Sequence, residues 1–133
     1  MTTAVFIPVS VGELIDKLTI LQIKMDRIRD PEKLVNIANE IKALNAAHDV
    51  ATLTRHTDYD ELFQEMMAIN QTIWDLEDTM HELLAQVGTS DEAFGRISKQ
   101  IHQHNDNRAR QKLRINRAFN SAIIEEKSYE EIK

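Results

Sequence analysis

A regular stripe of apolar residues runs through the middle of the chain and predicts its longest helix. Large apolar side chains recur there at alternating spacings of three and four residues, which is the period that lines one face of an α-helix. The stripe consists of Tyr59, Leu62, Met66, Ile69, Ile73, Leu76, Met80, Leu83 and Val87. We therefore predict a helix over residues 58–87 and expect other helices to pack against its apolar face.

Two shorter stripes with clear start signals precede it. Ser10 and Glu13 have the spacing of a capping box, in which side chains satisfy the first free backbone N–H groups of a helix. They begin a predicted helix over residues 10–29. Asp30 is followed by proline, a residue that fits the first helical position because it lacks an N–H. This pair begins a second predicted helix over residues 31–47.

A final helix is predicted after a glycine turn. Gly88 suits the left-handed position that ends many helices, and Thr89 or Ser90 can cap the helix that follows. The last helix is predicted over residues 89–119. The polar segment from Asp49 to Thr57 has no apolar period and is interpreted as the one long loop.

These elements predict one all-α domain over residues 1–133. The expected fold is an elongated antiparallel bundle of about four helices, arranged as two helical hairpins over residues 10–119. Residues 1–9 are β-branched and apolar with a proline, and are expected to form an extended arm. Residues 120–133 are expected to fold back as a tail. Since four helices leave part of a long stripe uncovered, a homodimer is also expected.

Composition and charge exclude several classes of protein. The absence of cysteine excludes a disulfide framework, a thiolate nucleophile and a zinc finger. A net charge of −6 argues against general nucleic-acid binding. The sequence contains no apolar run long enough for a membrane span and no signal-peptide pattern, so we expect a cytoplasmic protein with no membrane partner.

The stripe of the last helix is interrupted by charge, and this is the main functional clue. Continuing its period from Ile101 to Ile115 places His104, Arg108 and Lys112 where apolar side chains are expected. Unpaired buried charge is costly, so these residues must be exposed, paired or lining a site for an anion. One interpretation is a core site in which Arg108 and Lys112, beside Asn105, hold a phosphate or carboxylate. The other is a solvated helix face.

A second polar stripe lies beside the apolar face of the central helix, formed by Asn70, Trp74, Glu77 and His81. If it faces the last helix, Glu77 is the expected partner of Arg108 or Lys112, and His81 is placed to transfer a proton near neutral pH. Alternatively, it is the boundary between core and solvent. Lys17 and Lys24 flank the apolar stripe of the first helix and serve either as ligand contacts or as solubilising charges.

No motif supports a particular reaction. Phosphate-binding loops and nucleophile motifs are absent, and the paired motifs of di-iron bundles lack their second copy. We therefore predict no metal site and no cofactor, and leave the catalytic residues unassigned.

Four stretches of the chain resemble a small uncharacterised bacterial family, a domain of unknown function. They are the head Ile7-Pro8-Val9-Ser10 with Gly12 to Leu21, then Trp74 to Asp78, then Asn105-Asp106 with Arg108-Ala109, Lys112 and Ile115-Asn116, and the tail Glu125-Glu126-Lys127-Ser128-Tyr129. Gln22 and Gln111 depart from the expected pattern. The resemblance implies no reaction. It also implies an association of relatives with glycosyltransferase and surface-polysaccharide functions, which makes a sugar phosphate or nucleotide sugar a reasonable candidate for the bound anion.

Three functional hypotheses follow from the sequence. The first is a binding module for an anionic, phosphorylated metabolite, using Arg108, Lys112 and Lys17. The second is a protein–protein interaction or scaffold module without a small-molecule ligand. The third is a small enzyme that uses Glu77 or His81.

Overall fold

Five α-helices make up most of the chain in the computed structural model, which describes residues 2–47 and 50–128. No strand occurs among those residues, so the predicted all-α helical bundle is confirmed. The helices are α1 (Val11–Arg27), α2 (Pro31–Asn45), α3 (Val50–Leu53), α4 (Tyr59–Ala85) and α5 (Asp91–Ala118).

Side-chain caps explain why the predicted helix starts are accurate. The hydroxyl of Ser10 accepts a hydrogen bond from the backbone N–H of Glu13 at 3.0 Å, and Asp30 accepts one from Glu32 N–H at 3.0 Å. Ser90 caps α5 in the same way, and Gly88 before it has a φ of +84°. Such caps depend on residues within one turn, so the local sequence is sufficient to predict them.

The predicted loop after α2 was wrong in one respect. Val50 to Leu53 form a single helical turn, α3, in which the N–H of Thr54 donates to the carbonyl of Val50 at 3.0 Å. One turn is too short to produce an apolar period, so the pattern gave no signal for it. The turn is stabilised by the burial of Val50.

The hydrophobic core lies where α1, α4 and α5 meet. It is formed by Ile15, Leu62, Met66 and Ile115, all buried, with two aromatic residues of α4 and Phe119, which follows α5, packed around them. α1 also packs against α2 and is therefore covered on two sides. A side chain at Gly12 would place its Cβ 2.5 Å from the carbonyl oxygen of Lys112, so glycine allows α1 and α5 to approach closely.

The apolar stripe of α4 is covered over only part of its length. Leu62 and Met66 are buried, but Leu84 is 64% exposed and Val87, on the same stripe, is fully exposed. α1 ends at Arg27, which pairs with Asp75 of α4 at 2.7 Å. Among the described residues only the α4–α5 hairpin continues beyond that level, so part of the long stripe is left uncovered, as expected from the sequence.

The two terminal segments lie outside the helices. Residues 2–9 have no regular secondary structure, and all their side chains are exposed. The described part of the tail returns along α5, because Glu125 contacts Lys112 and Lys127 contacts Asp106. The predicted tail extends to residue 133, and residues 129–133 lie outside the described range.

None of the described helices meets the length and apolarity needed to cross a membrane.

Candidate functional site

A buried carboxylate lies at the centre of the polar contacts among α1, α4 and α5. Asp16 of α1 is fully buried, and both its oxygens accept hydrogen bonds from Nε of Arg108, at 2.9 and 3.0 Å. A terminal guanidinium nitrogen of Arg108 makes a further bond to Asp16. The Asn70 side-chain amide donates to Asp16 at 2.8 Å and to the Thr19 hydroxyl at 2.9 Å. We call these four residues the Asp16 cluster.

The Asp16 cluster is internally satisfied. The hydroxyl of Thr19 donates to the backbone carbonyl of Asp16 at 2.7 Å, which leaves no buried polar side-chain atom unpaired in the described part of the chain. The hydrogen bonds that Arg108 donates to Asp16 raise the pKa of Arg108 above its usual value, although partial burial acts in the opposite direction. Arg108 is therefore positively charged, and its hydrogen bonds are already committed to the ion pair with Asp16.

A second polar group joins the start of α1 to α5 and the tail. The ammonium of Lys112 donates to Glu13 at 2.5 Å and to Glu125 at 2.9 Å, and the Ser10 hydroxyl donates to Glu125 at 2.5 Å. We call Ser10, Glu13, Lys112 and Glu125 the Lys112 group. It holds an irregular segment against two helices.

Hydrogen bonds and neighbouring charges favour the charged forms of both Lys112 and Glu125. Desolvation lowers the pKa of Lys112, but the hydrogen bonds to Glu13 and Glu125 outweigh it and the pKa is raised. The pKa of Glu125 is lowered, first by its hydrogen bond from Ser10 and then by Lys112. The Lys112 group therefore attaches the tail through charge-assisted hydrogen bonds.

The free N–H groups at the start of α1 already have acceptors within the chain. Val11 donates to the Ser121 hydroxyl at 3.1 Å, and Gly12 donates to the Asn116 side-chain oxygen at 2.6 Å. Glu13 donates to the cap residue Ser10. Beside this end, a cleft of about 410 Å³ lies between α5 and the tail, lined by residues that include Lys112 and Glu125.

The structure brings together three of the predicted site residues. Asn70 and Arg108 share Asp16 as a partner, and Lys112 lies one helical turn further along α5. The predicted pairing of Glu77 with Arg108 or Lys112 was wrong, because Asp16, Glu13 and Glu125 bind those cations. Glu77 is seven residues beyond Asn70 on α4, a rise of about 10 Å, while Arg108 lies level with Asn70.

The other predicted site residues do not join these groups. The exposed ring of His81 contacts the backbone carbonyl of Glu77 on its own helix at 2.8 Å. Lys17 is exposed, whereas the remaining four are half-buried, namely Lys24, Trp74, His104 and Asn105. No cluster of three or more metal-ligating side chains occurs within residues 2–47 and 50–128.

Asp16 and Thr19, two members of the Asp16 cluster, were not among the site residues predicted from the sequence. Their signal was a second stripe on α1, in which Ile15 and Ile23 lie about two turns apart with Thr19 between them. Ile15, Thr19 and Ile23 are all buried, as expected for a helix that is covered on two sides. Polar residues beside such a second stripe are candidates for buried hydrogen-bonding groups.

The chain belongs to the family described as a family of unknown function, DUF6165, whose match covers residues 5–132. The resemblance to an uncharacterised family is thereby confirmed. Neither the curated proteins nor the solved structures with which the chain was compared include a significant match.

Proposed function

We propose that the protein is an interaction module that binds a partner protein through its N-terminal arm. The observation that carries this proposal is the exposure of three consecutive large apolar residues, Val5 at 82%, Phe6 at 92% and Ile7 at 70%. Exposed contiguous apolar surface is characteristic of sites that bind another molecule. The proposal is the second of the three hypotheses drawn from the sequence.

The backbone of the arm is suited to pairing with a strand. No hydrogen bond from another described residue reaches the backbone of residues 2–9. In an extended segment, side chains alternate between two faces. Val5, Ile7 and Val9 would then lie on one face and Phe6 on the other, which suits a strand whose two faces are both covered. We propose that the arm adds to the edge of a sheet in the partner.

The base of the arm is firmly attached to the bundle, which supports its role as a recognition element. Ser10 is buried, caps α1 and donates to Glu125 of the tail. The tail carries two more exposed apolar residues near this contact, Ile123 and Ile124. A partner that pairs with the arm would meet these side chains at the same end of the bundle.

The test compares two aspartate substitutions at exposed apolar residues. Phe6→Asp changes the arm, whereas Val35→Asp changes a residue of α2 that is 60% exposed. Both variants are expected to keep the wild-type melting temperature, because surface substitutions alter stability by only about 0.5 kcal/mol. In affinity purification from cells that express the protein, one stoichiometric partner is expected with wild type and Val35→Asp, but not with Phe6→Asp. The same proteins recovered with all three forms would contradict the proposal.

A second candidate, binding of an anionic metabolite, is favoured by the position of Glu125. Its carboxylate comes from an irregular segment and is bound by Ser10 and Lys112, which are donors that would also suit a phosphate. Since the cations are already paired, an external anion would have to displace Glu125. In this version of the anion-binding hypothesis, Lys112 is the primary contact of the bound anion, and Arg108 contributes only its positive charge.

Thermal-shift titration with inorganic phosphate and with a sugar phosphate tests this candidate. Glu125→Gln is expected to increase the stabilisation by either anion, because it weakens the internal competitor, whereas Glu126→Gln serves as the control. Equal shifts in wild type and both variants would refute binding at this position.

A further inference from the structure

Asn116 of α5 has a buried side-chain amide of which one end is unused. Its oxygen accepts the N–H of Gly12 at 2.6 Å, and this donor fixes which end of the amide is the oxygen. The residue is only 2% exposed, yet its side-chain nitrogen donates to no described residue. Every fully enclosed polar side-chain atom in the described part of the chain has a partner, so this nitrogen must be accessible from outside. Asn116 lines the cleft of about 410 Å³ between α5 and the tail, and its nitrogen is therefore a hydrogen-bond donor in the wall of that cleft.

Contacts on two sides hold this amide in place. A Cβ at Gly12 would lie 2.9 Å from the side-chain oxygen of Asn116, so the close approach of α1 leaves the side chain little freedom. The backbone carbonyl of Asn116 accepts the N–H of Ser121 at 2.8 Å, where the chain turns into the tail. A donor whose position is fixed before a ligand arrives loses little conformational entropy when the ligand binds.

A second donor lies one helical turn away in the same cleft. Lys112 and Asn116 are four residues apart, so their side chains are neighbours on one face of α5. An ammonium group has three N–H bonds, and acceptors among the described residues take two of them, at Glu13 and Glu125. The third N–H and the amide of Asn116 can therefore meet at one acceptor atom. A carbonyl oxygen has two lone pairs and can accept both hydrogen bonds.

The charges around the cleft favour an uncharged ligand. The lining contributes three cations and two carboxylates, the latter from Glu125 and Glu126. Glu13 and Asp106, which pair with the two lysines of the lining, add two more carboxylates. An anion that entered the cleft would therefore meet an excess of negative charge, whereas a neutral oxygen acceptor would not.

We infer that the cleft binds a small uncharged amide, whose carbonyl oxygen accepts hydrogen bonds from Asn116 and Lys112. Ala109 and Leu113, on the same side of α5, supply an apolar surface for the acyl group of the ligand. The N–H of the ligand can donate to a carboxylate of the tail, so an amide matches both walls of the cleft. Such a ligand leaves Glu125 in place, unlike an anion that displaces it. The inference is also independent of the N-terminal arm.

Titration with acetamide, followed by nuclear magnetic resonance, tests the inference. Acetate has the shape of acetamide but carries a charge, and glycerol offers hydroxyl groups in place of the carbonyl, so these two are the comparison ligands. Acetamide is expected to shift the side-chain amide signals of Asn116 and the methyl signals of Leu113 saturably, whereas acetate and glycerol are expected to leave them unchanged. The absence of a saturable shift with acetamide would show that Asn116 is only hydrated, and would overturn the inference. Equal binding of acetate or of glycerol would also overturn it, in favour of a site for anions or for polyols.

Two asparagine-to-aspartate variants test the role of the Asn116 donor. Asn116→Asp keeps an oxygen for the N–H of Gly12 but removes the donor, and is expected to weaken acetamide binding about tenfold, as for the loss of one hydrogen bond. Asn39→Asp makes the same change at an exposed position of α2 and is expected to bind acetamide like wild type. Circular dichroism checks that both variants keep the helix content of wild type. Undiminished acetamide binding by Asn116→Asp would overturn the inference. Phe6→Asp is expected to leave acetamide binding unchanged, which separates this result from the test of the arm.

Discussion

Arg108 forms a bidentate ion pair with Asp16, a residue 92 positions earlier in the chain. The carboxylate is fully buried, whereas about a third of the guanidinium side chain remains exposed. This asymmetry determines what each partner contributes. Arg108 can be hydrated if the pair is broken, but Asp16 cannot.

Removing the arginine should therefore cost more stability than neutralising the aspartate. Arg108→Ala leaves a buried carboxylate with only the amide of Asn70, and is expected to lower the free energy of unfolding by about 3 kcal/mol. Asp16→Asn retains the shape and is expected to cost less. Urea denaturation measures both, with Arg96→Ala as the control at an exposed cation. Equal, small effects of Arg108→Ala and Arg96→Ala would show that the pair contributes little.

Two glycine-to-alanine substitutions should have opposite effects. A Cβ at position 12 would lie 2.5 Å from the carbonyl oxygen of Lys112, so Gly12→Ala is expected to separate α1 from α5 and cost about 1–3 kcal/mol. Gly95 lies in α5 with nothing within 4 Å of the added carbon. Gly95→Ala is expected to stabilise the protein by about 0.5–1 kcal/mol, because alanine favours the helix. Thermal denaturation compares them, and a stabilised Gly12→Ala would refute the close approach.

Attachment of the tail should weaken in acid. The folded-state pKa of Glu125 is lowered, so its contribution to stability is present at neutral pH and is lost as the pH falls through that value. The loss begins below about pH 5, near the ordinary titration range of glutamate. Limited proteolysis of the tail as a function of pH measures it. Glu125→Gln is expected to make cleavage nearly independent of pH in this range, with Glu126→Gln as the control. A pH profile that is the same in both variants would contradict the role of Glu125.

Helix positions could be predicted from the sequence because their causes are local. Ser10, Asp30 and Ser90 cap helices within one turn, and the three-four spacing of apolar residues indicates which face of each helix turns inward. The four long helices accordingly begin and end within about two residues of their predicted bounds.

The partners of the charged residues could not be predicted in this way. The sequence indicates that Arg108 and Lys112 interrupt an apolar stripe, and therefore that they need partners or solvent. Which acids supply those partners depends on the level at which α1 crosses α5, and this level follows from the close contact at Gly12. Glu77 has suitable chemistry but lies two turns too far along α4.

The sequence by itself determined the helices, their inward faces and the positions of charge that packing alone would not explain, since each depends on residues within a few turns. The tertiary structure alone decided that Asp16 is the buried partner of Arg108 and that the stripe of α4 is covered only up to the level of Arg27. Both depend on where separate helices meet and where each helix ends, and no local sequence pattern specifies the distance between two helices.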